Sequence, residues 1–125
     1  MRGLSGLTRA QLEELPTEDL DEVAFGFRSG DEIVLPLEVI HIRYPGDLES
    51  AEADVPTRKD ALAVRKTHGR LPVKIALRGG RFELEDGHHR YVSTRMLGGK
   101  TIWAEIEIKD DPIAVILGER PRPMR

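Results

Sequence analysis

The chain has 125 residues, 39% hydrophobic and 33% charged, with 19 Lys/Arg against 22 Asp/Glu and no cysteine. Its length suits one domain with a single core, and a net charge of -3 excludes a generally polycationic binder. Without cysteine there is no disulfide, thiolate-bound zinc or thiol nucleophile.

The N-terminal part reads as helical. Thr8 and Gln11 have capping-box spacing ahead of Leu12 and Leu15, and Pro16 stops that turn. Thr17 is expected to cap a second helix through Phe25, with Leu20, Val23 and Ala24 on one face. After a turn at Ser29-Gly30-Asp31, residues 32–37 read as a strand that Pro36 places at an edge or an end. Val39 to Ile42 continues it past a bend. Tyr44 to Asp47 reads as loop, and the acidic stretch to Asp54 as loop or a short helix. Thr57 with Asp60 marks the start of the next helix, and Gly69 its end.

The second half has the clearer pattern. Leu71 to Leu77 alternates in part, Gly79-Gly80 is a hairpin signal, and Arg81 to Glu85 alternates strictly. A helix from His88 to Leu97, a strand from Thr101 to Ile108 and a short helix from Ile113 to Leu117 follow. Residues 118–125 have too little to bury and are expected to be disordered. The order predicts a single α/β (α+β) domain: a small mixed sheet with a hairpin and flanking helices over 32–117, behind a helical extension over 1–31.

Net charge conceals a polarity. Residues 1–56 carry 4 Lys/Arg and 13 Asp/Glu, whereas residues 57–125 carry 15 and 9. The acidic half would supply exposed helices, and the basic half could hold an anion. No apolar run is long enough to span a bilayer, and the first six residues lack the apolar core of a signal peptide. A soluble, cytoplasmic protein is therefore expected.

Chemistry concentrates in Glu85-Asp86-Gly87-His88-His89-Arg90-Tyr91, where a strand passes through a glycine into a helix. Unpaired N–H groups at a helix start, reinforced by the helix dipole, attract anions. Gly87 allows a phosphate close to the backbone. His88, His89 and Arg90 add donors there, with Arg90 suited to a bidentate grip. Two histidines and an arginine oppose the dipole unless an anion offsets them. A phosphate site of Gly87, His88, His89 and Arg90 is the expectation. No protein metal site is expected, because adjacent histidines do not share a helix face and no third ligand is evident.

This pattern resembles the ParB/sulfiredoxin superfamily over roughly residues 32–108. The matching features are Gly69 to Val73 before the hairpin, Gly-x-x-Arg at Gly87 to Arg90, Leu97-Gly98, and the closing strand from Thr101. The string Asp86-Gly87-His88-His89-Arg90 matches a free-serine kinase branch of the superfamily. The resemblance implies nucleotide binding (ATP, ADP or CTP) with Mg2+, and a phosphotransferase or NTPase activity. Sulfinate reduction is excluded, since His88 stands at the cysteine position. The 17 residues after Ile108 are too few for a helix-turn-helix reader. A non-catalytic ParB-like module on DNA or on a DNA-binding partner is the alternative, and a ParB-like nuclease a weaker one. No acidic cluster of the kind two-metal nucleases need is evident.

The resemblance also implies a catalytic carboxylate after the first strand. Asp47, Glu49 and Glu52 lie there, and Glu49 is taken as the general base toward a small-molecule hydroxyl acceptor. His88 is expected to stabilise the transferring group. Asp86 is read either as orienting a histidine or a metal-bound water, or as the helix cap. Arg43, Arg58 and Lys59 are further phosphate candidates, and Trp103 is expected in the core.

Overall fold

The computed structural model describes residues 6–68, 70–119 and 122–124. In chain order they form α1 (Arg9–Glu13), α2 (Thr17–Phe25), β1 (Glu32–Pro36), a 3-10 turn (Leu37–Val39), β2 (Ile40–Ile42), α3 (Pro45–Asp54) and α4 (Arg58–His68). Then come β3 (Val73–Arg78), β4 (Arg81–Asp86), α5 (His88–Met96), β5 (Thr101–Ile108) and α6 (Pro112–Ile116). The strands make one mixed sheet in the order β1-β5-β3-β4-β2. β1 and β2, contiguous in sequence except for the 3-10 turn, occupy opposite edges of it. Pro36 sits on an edge strand, where its missing N–H leaves no ladder bond open.

One face of the sheet is apolar and the other charged. Val73, Ile75, Leu84, Ala104 and Ile106 are buried, and Tyr91 and Val92 of α5 belong to the same core. The alternate positions, Lys74, Glu105 and Glu107, face the other way and are not buried. Glu83 on that open face is buried all the same, because Arg78 (2.9 Å) and Arg43 (3.1 Å) close over it. Trp103 follows this alternation out of the core: it sits opposite Val34 of β1 and is 38% exposed. The expectation of a core tryptophan fails because the parity of β5 gives the core to Ile102, Ala104 and Ile106.

A second, smaller cluster joins Leu12 and Leu20 of the N-terminal helices to Ile113 of α6. Within the extension, the segment from Leu7 to Leu20 is thereby packed against α6. Thr8 makes the expected capping box with Gln11. Thr17, in contrast, is the first helical residue, and Pro16 stands at the cap without a side-chain bond. α3 begins two residues before the acidic stretch, because Pro45 at the first helical position is preset for a helix start. Gly69 lies outside the described residues. The expected disorder of residues 118–125 does not hold for 122–124. There the Asp111 N–H donates to the Arg122 carbonyl (2.8 Å), and Met124 bonds back to Lys109.

Asp21 in α2 is 4% exposed, and one of its carboxylate oxygens has no partner. Burial, and secondarily Glu18, raises its pKa above the ordinary 3.8, while the Ser29 backbone opposes the shift. A carboxyl with a raised folded pKa stabilises the fold below its unfolded value and loses that contribution as pH rises through the folded value. Asp21→Asn is therefore expected to raise stability at pH 7 by about 1 kcal/mol, and to change nothing near pH 3. Urea midpoints at both pH values check this. An equal effect at the two would assign it to packing instead of charge.

Candidate functional site

The site lies at the carboxyl end of β4. Between Ile75–Leu84 and Lys74–Asp86 the register slips, so that Glu85 is an extra residue on β4. Such a bulge re-aims the strand end. Gly87 follows with φ +103, in the left-handed region. A Cβ on Gly87 would lie 2.6 Å from Val73 Cγ1. Glycine is thus required twice over, by its backbone angles and by the close approach of β3. Gly87 is the N-cap of α5 and makes no side-chain cap bond. The Asp86 carboxylate is not the cap: Asp86 ends β4, exposed, on the wall of the cleft. The first N–H groups of this nine-residue helix consequently have no side-chain partner.

The three basic residues diverge from this point. His88 is 6% exposed, and its Nε2 is buried without a hydrogen-bond partner among the described residues. The Tyr44 ring packs edge-on against it, centroids 6.4 Å apart. His89 turns outward to Asp54 of α3 (Nε2 to Oδ2 2.8 Å). Arg90 Nη1 donates to the carbonyls of Leu71 (2.8 Å) and Pro72 (2.9 Å). These bonds hold the segment entering β3, which begins at Val73. All three residues border the same cleft, and His89 and Arg90 also tie α5 to its neighbours.

A cleft of about 480 Å³ opens at this corner. Besides the Asp86–Arg90 turn, it is lined by Asp47 and Ser50 of α3 and by His68 of α4. Asp47, Ser50 and Asp54 are spaced by three and four, so one helix face presents them together. Glu49 is exposed, about 200° round the helix from Asp47, and does not line the cleft. Glu52 pairs with Arg95 (2.7 Å), and this bond and His89–Asp54 fasten α3 to α5. Of the three candidates Asp47, Glu49 and Glu52, the one that lines the cleft is therefore Asp47. Reading α3 as a helix from Pro45 would have set Asp47 and Ser50 on one face, apart from Glu49; that this face meets the cleft, beside His68 of α4, depends on the tertiary structure.

Other candidates lie elsewhere. Arg43 holds Glu83 on the open sheet face. His41 is exposed on the same face, in register with Glu83. Arg58 and Lys59 are exposed at the start of α4, away from the cleft. Among the described residues no three His, Asp or Glu side chains converge to hold a metal ion. No helix of the described chain is long and apolar enough to cross a membrane.

No family model matches the chain, and no curated protein does. Among the solved structures that match it are two with TM-scores of 0.44. One is sulfiredoxin from Arabidopsis thaliana, at 20% identity, covering 62% of this chain and 85% of that one. The other is the C-terminally truncated chromosome-partitioning protein ParB from Caulobacter crescentus, complexed with CTP-gamma-S, at 17% identity and 71% of this chain. In fold the chain is similar to sulfiredoxin and ParB. It spans about half, 51%, of that ParB chain.

Proposed function

We propose that the cleft binds the phosphates of a nucleotide (ATP, ADP or CTP) carrying Mg2+, and that the chain transfers a phosphoryl group to a hydroxyl or to water. The observation that carries this reading is His88 Nε2, buried and without a partner beside the uncapped start of α5. A buried polar nitrogen without a partner costs about 1–3 kcal/mol, and a phosphate oxygen at the helix start would supply one. The backbone N–H groups of the first turn would hold the same phosphate.

Asp47, Glu85 and Asp86 bring carboxylates to the cleft, and Glu85 is bonded to Tyr44 and Arg78. Asp86 fits an ion that takes one or two carboxylates and keeps phosphates and water for the rest, which leaves Asp47 free as a base. That Mg2+ would neutralise phosphate charge. Asp47 accepts the proton of the attacking hydroxyl, replacing Glu49 in this role. As the new oxygen–phosphorus bond forms, the bridging bond breaks and the leaving nucleotide keeps its electron pair. His88 donates to the transferring group, and positioning supplies most of the acceleration.

The test is titration calorimetry with ATP, ADP, CTP and GTP in Mg2+, paired with melting curves. His88→Ala is expected to weaken binding about 10- to 100-fold, from a hydrogen bond to a charged group worth about 1.5–3 kcal/mol, with the melting temperature of the free chain reporting separately on the lost packing against Tyr44. Arg90→Ala is expected to lower the melting temperature even without ligand, because the Leu71 and Pro72 carbonyls lose their donor. If His88→Ala binds nucleotide as wild type does, or if no nucleotide binds, the reading is wrong. Turnover lost in Asp47→Asn and kept in Glu49→Gln would assign the base.

A further inference from the structure

Eight Lys/Arg residues make no ion pair among the described residues: Arg58, Lys59, Arg65, Lys66, Arg70, Arg90, Lys100 and Arg122. Four of them are on α4. Arg58 and Arg65, like Lys59 and Lys66, are seven residues apart, so each pair lies on nearly one line, about 10 Å along the helix axis. All four are exposed, while Ala61 faces the core. The only acid on α4, Asp60, is bonded to Thr57. Elsewhere arginines such as Arg28, Arg78 and Arg95 have carboxylate partners. The basic excess of the second half is thus concentrated on one uncompensated helix face.

Beside this face, between α4, α5 and β5, lies a second cavity of about 320 Å³. Its walls include Leu71, Leu97 and Trp103, and Arg65 stands at the α4 side. Lys100 lies in the loop between two lining residues, Gly99 and Thr101. Leu71 is 57% exposed and Trp103 38%. We infer that this surface binds single-stranded nucleic acid, with phosphates along α4 and one unpaired base against Trp103. A row of unpaired cations beside an aromatic wall is the combination that holds a single strand without sequence preference. The cations suit any polyanion. The groove selects among them, because an acidic peptide brings no flat ring to fill it and a duplex keeps its bases stacked inside. This surface is separate from the His88 cleft, although Val64 and Arg90 border both cavities.

Trp103 is the only tryptophan of the chain and reports directly on the groove. The full chain is titrated with short oligo(dT), the matching duplex and poly-glutamate. Oligo(dT) is expected to quench Trp103 fluorescence and to bind most tightly, with a log–log salt slope of about -3 for four neutralised phosphates. Arg65→Gln/Lys66→Gln is expected to flatten that slope by about 1.4, leaving mononucleotide binding at the His88 cleft unchanged. Trp103→Ala should weaken oligo(dT) about tenfold and leave an abasic strand of equal length unaffected. Binding without quenching, a flat salt dependence, or duplex or poly-glutamate bound as tightly as oligo(dT) would each overturn the inference.

Discussion

Asp110→Ala is expected to destabilise the fold by about 3–5 kcal/mol. Asp110 is 0% exposed, and its two oxygens accept the backbone N–H groups of Gly79 (2.5 Å) and Gly80 (2.8 Å). Both glycines have positive φ, 62° and 76°, as the tight β3–β4 hairpin requires. Hydrogen bonds to a charged acceptor are worth about 1.5–3 kcal/mol each, and alanine leaves both donors without a partner. A drop in melting temperature of about 15 °C corresponds to this loss in a chain of this size. Asp110→Asn should recover about half, since its amide oxygen can serve one N–H while its amino group faces the other. A variant with alanine that melts like wild type would mean that water replaces the carboxylate.

Gly87→Ala is expected to cost about 3 kcal/mol. A left-handed backbone angle costs a residue with a Cβ about 1–2 kcal/mol, and crowding a packed contact about 1–3 kcal/mol. Here the Cβ would meet Val73 Cγ1 at 2.6 Å. The melting temperature should fall by about 12 °C. Adding Val73→Ala should return the crowding part and leave the backbone part, so the double variant lies between the two. A single variant of wild-type stability would show that β3 yields at Val73 and that the strand–helix turn does not depend on this contact. Gly87 also lines the His88 cleft.

Much of the fold was legible in the chain. β5 was expected over Thr101 to Ile108 and occupies those residues, since full alternation over eight positions has one reading. The Gly79-Gly80 hairpin and the glycine at the strand–helix turn were legible for a similar reason: positive φ leaves few residue types. The cap of α4 at Thr57 was visible in its hydroxyl and in the acid three residues on. Helix α3 was less so, because its acidic surface carries little apolar periodicity and only Ala51 is buried.

The candidate site was legible in its location and not in its wiring. Spacing put Gly87, His88, His89 and Arg90 at a helix start, and the structure agrees. Spacing says nothing of what stands opposite. That Arg90 reaches the carbonyls of Leu71 and Pro72, that His89 meets Asp54, and that Asp47 faces the cleft in place of Glu49 all depend on α3 and the β3 entry segment arriving from elsewhere in the chain.

By itself, then, the sequence determined the local elements, the glycine turn and the excess of positive charge in its second half, because backbone angles, alternation and charge are properties of neighbouring residues. Tertiary structure alone decided that β1 and β2 part to opposite edges of the sheet, that His88 is buried with a nitrogen that has no partner among the described residues, and that Trp103 stands in a groove beside α4. Those outcomes rest on contacts between distant segments. Their energies come from burial and from hydrogen-bond partners that no local pattern records.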